Sequence, residues 1–177
     1  MKSDTPKALH RICGRPMLFY VLDLVKSLKI NNIVAVAGYR HHMLVPLFTQ
    51  GIKVVIQKQL LGTGDAVKEA LSALNNFKGT VLVLYADNPL LKKETITKLL
   101  KYHTENNCDA TLLTAKVDKP QGYGRILRDK YSSVSGIVEE KDADDFQKEI
   151  KEINTGIICF NKNSLTKALK QIKPNNR

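Results

Sequence analysis

Residues 81–90 read Val81-Leu82-Val83-Leu84-Tyr85-Ala86-Asp87-Asn88-Pro89-Leu90. An unbroken apolar run of this length suits a strand covered on both faces, because a strand with one wet face would alternate. It stops at a carboxylate followed by a proline. Two shorter runs precede it, Ile33-Val34-Ala35-Val36-Ala37 ending at Gly38, and Val54-Val55-Ile56. Stretches of helical period lie between them. Pro16 predicts a helix start, with Met17, Tyr20, Val21, Leu24, Val25 and Leu28 on one face, and further helices are expected near 66–74 and 94–102. Strand–helix–strand alternation predicts right-handed βαβ units in an open α/β sheet, mostly parallel, with helices on both faces. In such sheets ligands gather at the carboxyl ends of strands, where Asp87 falls.

Beyond Cys108 the texture changes. Residues 110–115 predict another strand, and Lys119-Pro120-Gln121-Gly122-Tyr123-Gly124 a turn-rich loop. Residues 124–127 and 134–138 read as a hairpin or meander. Residues 141–151 are strongly charged and read as a solvated excursion, 153–160 as a strand, and 164–172 as a last helix. A smaller β-rich lobe follows a parallel α/β core.

The chain has 177 residues, 43% hydrophobic and 25% charged, which excludes wholesale disorder and permits a sizeable core. No apolar run reaches the roughly 18–20 residues of a membrane span, so no membrane partner is expected. The net charge is +11, from 28 Lys+Arg against 17 Asp+Glu. The basic residues are mostly lysine and scattered, without the arginine–aromatic interleaving of a base-stacking surface. The charge could serve an anionic small substrate or simply reflect the lysine-rich coding of an AT-rich genome, and nucleic acid is not expected. Three widely spaced cysteines, Cys13, Cys108 and Cys159, suit a reducing cytoplasm and form no disulfide framework or zinc site.

Several short motifs carry chemistry, each with a plainer alternative. Asp87 could hold Mg²⁺ beside phosphates, since that ion takes one or two carboxylates plus phosphate oxygens, or it could cap a turn. Leu60-Leu61-Gly62-Thr63-Gly64-Asp65-Ala66 follows the second strand and opens a helix. Its glycines allow close backbone approach and its helix start offers free N–H groups. It could equally be an ordinary turn with Thr63 as N-cap. Gln57 and Gln59 precede it with amides able to read a base edge by donor and acceptor together. Lys7, on the loop Asp4-Thr5-Pro6-Lys7, could meet phosphate as a point charge or be a solvated lysine. Gly122-Tyr123-Gly124-Arg125 could wrap a sugar ring or simply turn the chain. Glu139-Glu140-Lys141 and Glu152-Ile153-Asn154-Thr155-Gly156 place polar groups at strand ends. His41-His42 and Cys13 lack partners for hydrolytic or zinc chemistry.

In order, Met1-Lys2-Ser3-Asp4-Thr5-Pro6-Lys7-Ala8-Leu9-His10, Gly14-Arg15-Pro16-Met17, Leu61-Gly62-Thr63-Gly64, Asp87-Asn88-Pro89-Leu90, Gln121-Gly122-Tyr123-Gly124-Arg125-Ile126, Ile137-Val138-Glu139-Glu140-Lys141-Asp142-Ala143 and Glu152-Ile153-Asn154-Thr155-Gly156 resemble one family. It is the uridyltransferase domain of bacterial N-acetylglucosamine-1-phosphate uridyltransferase, and the likeness spans nearly the whole chain. The resemblance implies a Rossmann-like nucleotidyltransferase fold with a nucleotide-binding core over about 1–116 and a sugar-binding part over about 117–177. It implies that UTP and N-acetylglucosamine 1-phosphate give UDP-N-acetylglucosamine, a cell-wall and lipopolysaccharide precursor, plus pyrophosphate. By the same resemblance Lys7 is catalytic, neutralising phosphate charge, and Asp87 binds Mg²⁺. Gln57, Gly62 and Thr63 hold the uridine with Tyr85 and Ala86 alongside, while Gly124, Glu139 and Asn154 hold the amino-sugar.

The sequence also departs from that family. The family opens with a strand and a glycine-rich phosphate loop, and Met1 falls where that motif ends. The first, central strand would then be absent and turnover impaired. The family also continues past Arg177, through a second Mg²⁺ ligand to an acetyltransferase β-helix domain. A partial domain completed by a separately encoded N-terminal or C-terminal part is one expectation. A non-catalytic remnant or weak uridine-nucleotide-binding module is another, and a related transferase with a different sugar a third. Ala86 stands where the family has glycine, and Asp65 where it has histidine.

Overall fold

The computed structural model describes residues 3–172; residues 1–2 and 173–177, on which part of the resemblance at the chain ends rests, lie outside the described residues. A short hairpin comes first, β1 (Arg11–Ile12) and β2 (Arg15–Pro16), antiparallel with Ile12 opposite Arg15. Its two-residue loop is Cys13-Gly14, with φ of 49° and 78°. Positive φ at both central positions is what a hairpin turn matched to strand twist demands. The chain passes directly into α1 (Met17–Ser27), capped by Pro16. The proline thus precedes the helix rather than forming its first turn. α1 buries Leu18, Val21, Leu22 and Leu24. Tyr20, expected on the buried face, instead donates its hydroxyl to the Ile12 carbonyl at 2.8 Å and ties helix to hairpin.

β3 (Ile33–Ala37) and β4 (Ile52–Ile56) pair parallel, from Ile33 opposite Ile52 to Ala37 opposite Ile56. The crossover carries α2 (His41–Leu44) and a 3-10 turn at Val45–Leu47. α3 (Thr63–Ser72) leads to β5 (Thr80–Val83), and α4 (Lys93–Glu105) to β6 (Ala110–Lys116). Then come β7 (Arg125–Arg128), β8 (Val134–Val138), α5 (Asp145–Lys148), β9 (Glu152–Asn161) and α6 (Lys162–Leu169).

The ten-residue β9 organises the second sheet. It pairs antiparallel with β5, Val83 opposite Ile158, and with β6 on its other edge, where the register breaks between Leu112 and Thr114. β7 joins it at Arg125 opposite Ile153, and β8 closes on β7. The α/β class holds, but parallel pairing is confined to β3–β4. The late strand β9 returns beside β5, and a returning strand in that place runs against its neighbours. Among the described residues β3 pairs only with β4 and β5 only with β9, so each has one edge unpaired.

The core gathers Leu24 from α1, Ile96 and Leu99 from α4, and Ile157 and Cys159 from β9. Leu28, Leu82, Leu84, Leu91, Leu100 and Leu113 pack against them. Burial pushes the Cys159 thiol up to about 11, so it serves as a small apolar filler. The charged stretch 141–151 is more ordered than its composition suggests. Asp144 and Gln147 form a reciprocal cap at the start of α5, and Ala143 is buried. No helix among the described residues is long and apolar enough to cross a membrane.

Candidate functional site

The chain leaves β5 through Leu84-Tyr85-Ala86 and turns at Asp87, with the Asn88 N–H donating to the Tyr85 carbonyl at 3.4 Å. Far away in sequence, Pro6 stiffens the entry to a 3-10 turn at Lys7–Leu9. The fold brings the two together: the Lys7 ammonium lies 2.5 Å from Asp87 Oδ2, with Lys7 exposed and Asp87 half-buried. A lysine cation is thus held against a carboxylate at the strand end.

After β5 the Tyr85 ring sets its Cε2 edge against Gly156 of β9. A Cβ added to Gly156 would stand 2.0 Å from Tyr85 Cε2, and Gly156 has φ of +75°. Close approach and left-handed backbone both require glycine there. The bend lets Asn154 fold back, its side-chain oxygen accepting from the Gly156 N–H at 2.9 Å while its own N–H donates to the Gly124 carbonyl at 2.8 Å. Both Glu139 carboxylate oxygens lie within 3.3 Å of where a Gly124 Cβ would stand. Gly124, Glu139 and Asn154 therefore converge, and Tyr85 adjoins them through Gly156.

The turn at Gly122–Arg125 owes its shape to an ion pair of Arg125 with Glu140, two residues quoted within the sequence motifs but given no structural role there. Arg125 is 1% exposed, forms an ion pair with Glu140 at 2.6 Å, and donates to the Tyr123 carbonyl. Glu140 also accepts from the Gly122 N–H at 3.0 Å. The Arg125 guanidinium, then the Gly122 N–H, holds the Glu140 carboxyl below the usual range. An arginine directly after Gly-x-Gly, with a Glu-Glu pair at the facing strand end, was the available signal.

The third group sits at the ends of β3 and β4. The Gln57 N–H continues the ladder to the Ala37 carbonyl at 2.9 Å. Its amide nitrogen donates twice, to the Gly62 carbonyl at 3.2 Å and to Asp65 Oδ2 at 2.8 Å. The expectation that Gln57 offers donor and acceptor together is therefore corrected, since both donors are spent inside the loop. Gly62, φ 102°, is the cap residue of α3, and Thr63 is its first helical residue with no side-chain cap bond. This replaces the alternative of Thr63 as N-cap. Gln59 supplies a backbone carbonyl to the Leu61 N–H at 3.0 Å.

Among the described residues no group of three or more His, Cys, Asp or Glu is placed to hold a metal. A lone aspartate fits Mg²⁺ held jointly with phosphate oxygens, and it fits no closed protein cage. His103 is buried against Thr111, 2.9 Å from Nδ1 to Oγ1, and its burial lowers its pKa, so it is a structural histidine.

Known proteins resemble this chain in sequence and in fold. The bifunctional protein GlmU of Pelotomaculum thermopropionicum is 47% identical over 176 residues, and that of Alkaliphilus metalliredigens 44% over the same length. Each match takes in 99% of this chain, which spans 38% of either relative. Among solved structures, a putative glucose-1-phosphate thymidylyltransferase from Bacillus anthracis superimposes with a TM-score of 0.78 at 20% identity, over 98% of this chain and 69% of that one. HddC from Yersinia pseudotuberculosis gives 0.69 at 19% identity, over 92% and 70%. These distant structures establish the fold. The model of the MobA-like NTP transferase domain matches residues 1–152, across the Lys7–Asp87 pair, the Gln57 loop and the Gly124–Glu139 corner. By that match, the chain belongs to the MobA-like NTP transferase domain family.

Proposed function

We propose that this chain is the nucleotide- and sugar-handling part of a sugar nucleotidyltransferase, with UTP and N-acetylglucosamine 1-phosphate as substrates and UDP-N-acetylglucosamine and pyrophosphate as products. The observation that carries the proposal is the Lys7–Asp87 contact of 2.5 Å at the carboxyl end of β5. It makes one charged centre from residues far apart in sequence. Two further groups complete the reading, the loop at Gln57–Thr63 taken to hold the base and the polar corner at Gly124, Glu139 and Asn154 taken to hold the sugar. A nucleoside phosphate joined to a sugar phosphate would span both, in keeping with a nucleotide core over about 1–116 and a sugar part over about 117–177.

In the reaction, a sugar-phosphate oxygen attacks the α-phosphorus of UTP and pyrophosphate leaves in line, so one P–O bond forms as another breaks. The work of the chain is positioning and charge neutralisation. Lys7 contributes its ammonium to the phosphate charge. Glu139 accepts hydrogen bonds from sugar hydroxyl or amide groups, and Asn154 is held in the corner by its Gly124 and Gly156 bonds. Tyr85, fixed on Gly156, walls the space between base and sugar beside Ala86. Asp87 would hold Mg²⁺, which when bound neutralises phosphate charge.

Titration of UDP-N-acetylglucosamine with Mg²⁺ into the chain, alongside a pyrophosphate-release assay, tests this. Pyrophosphate release that falls in Lys7→Ala by more than binding does supports the transferase. A second reading, a uridine-nucleotide-binding module without turnover, draws on the unpaired edges of β3 and β5. Binding without pyrophosphate release would favour it. Absence of binding would contradict both.

A further inference from the structure

The Gln57 side chain is constrained in a way that decides what it can recognise. A primary amide donates twice from its nitrogen and accepts at its oxygen. Both partners of that nitrogen, the Gly62 carbonyl at 3.2 Å and Asp65 Oδ2 at 2.8 Å, are acceptors only. Turning the amide over would set its oxygen against two others, so chemistry fixes its orientation. The donors are used up. Gln57 Oε1 has no partner among the described residues and lies 3.6 Å from where a Cβ on Gly38 would stand, at the mouth between the ends of β3 and β4. Asp65 belongs to the first turn of α3, where the positive end of the helix favours a carboxylate.

We propose that Asp65 is a positioning residue that locks Gln57 as an acceptor and so selects a nucleobase carrying N–H at the centre of its pairing edge. This rests on the nucleotide reading given above. Uracil carries that hydrogen at N3. Cytosine has a lone pair there, and two acceptors would face each other with no hydrogen between them. Asn at position 65 removes the shorter of the two contacts that fix the amide and leaves only the Gly62 carbonyl to oppose its turning. Its amide can turn N–H toward Gln57 Oε1, freeing a Gln57 N–H for cytosine.

The test is calorimetric titration of uridine 5′-diphosphate and cytidine 5′-diphosphate into the chain and into Asp65→Asn, with melting curves to confirm that the variant folds. The ratio of the two affinities is the readout, because a merely structural role for Asp65 would weaken both equally. The expected result is a uridine preference of about tenfold or more in the parent chain, shrinking to about threefold or less in the variant. A ratio unchanged by the substitution, or equal binding of both nucleotides by the parent, overturns the role of Asp65. Failure of the parent to bind either diphosphate contradicts the nucleotide reading itself, and this inference falls with it.

Discussion

Single residues carry most of the chemistry argued here. Asp87 and Lys7 pair at 2.5 Å on the open side of the molecule. Exposed ion pairs add only about 0–1 kcal/mol. Asp87→Ala should therefore abolish Mg²⁺-dependent turnover and leave the urea midpoint nearly unchanged; retained turnover would remove Asp87 from the metal site. Lys7→Ala should lower kcat by about 10²-fold, with a smaller change in substrate affinity, since it removes charge neutralisation that grows in the transition state. Steady-state kinetics separate the two effects, and an equal loss in binding would make Lys7 only an anchor. Gly156 is different in kind. With φ +75° and Tyr85 against its backbone, Gly156→Ala should cost about 2–4 kcal/mol by urea denaturation. An unaffected midpoint would mean that Tyr85 does not rest there.

Among the elements, β9 joins the most distant parts of the chain, and its first residue is pinned from both sides. Glu152 accepts from Arg128 at 2.8 Å and 2.7 Å and from Thr114 at 2.7 Å. These bonds, the arginine's first, lower its carboxyl from 4.5 to about 2. A carboxyl held below its unfolded value stabilises the fold fully above pH 4.5 and loses that contribution as the pH falls toward about 2. Glu152→Gln should accordingly flatten this limb of the acid-denaturation curve, and an unchanged limb would count against the pinning. Most of the longer strands and helices were legible as runs and periods, to within about three residues, whereas the hairpin β1–β2 and the short helix α5 were not. The pairing of β5 with β9 was not, because both are apolar and local pattern carries no information about which distant edge each meets. The same limit applied at the site. Gln57 was visible as a base reader, but its link to Asp65 depends on how the loop folds back. The Gly124 loop was visible, but its Arg125–Glu140 clamp appears only once β7 and β8 are paired.

At the scale of the molecule, the three groups lie on different parts of the fold: the Gln57 loop after the parallel β3–β4 unit, the Lys7–Asp87 pair after β5, and the Gly124, Glu139 and Asn154 corner on the β9 sheet. The unpaired edges of β3 and β5 make a further expectation concrete. Amides of Ile33–Ala37 that are not directed at β4 should exchange with solvent faster than those bonded across β6 and β9, and uniform protection would show those edges to be covered. The central claim is that one ligand bridges the base loop and the sugar corner, and the most direct measurement is a thermal melt with and without UDP-N-acetylglucosamine and Mg²⁺. The account predicts a cooperative transition that moves upward, by about 2.7 kcal/mol of added stability when ligand is at 100 times its Kd. It predicts a markedly smaller shift for uridine diphosphate or N-acetylglucosamine 1-phosphate at the same concentration. A melt unmoved by the sugar nucleotide at millimolar concentration, or moved equally by either half alone, would contradict it.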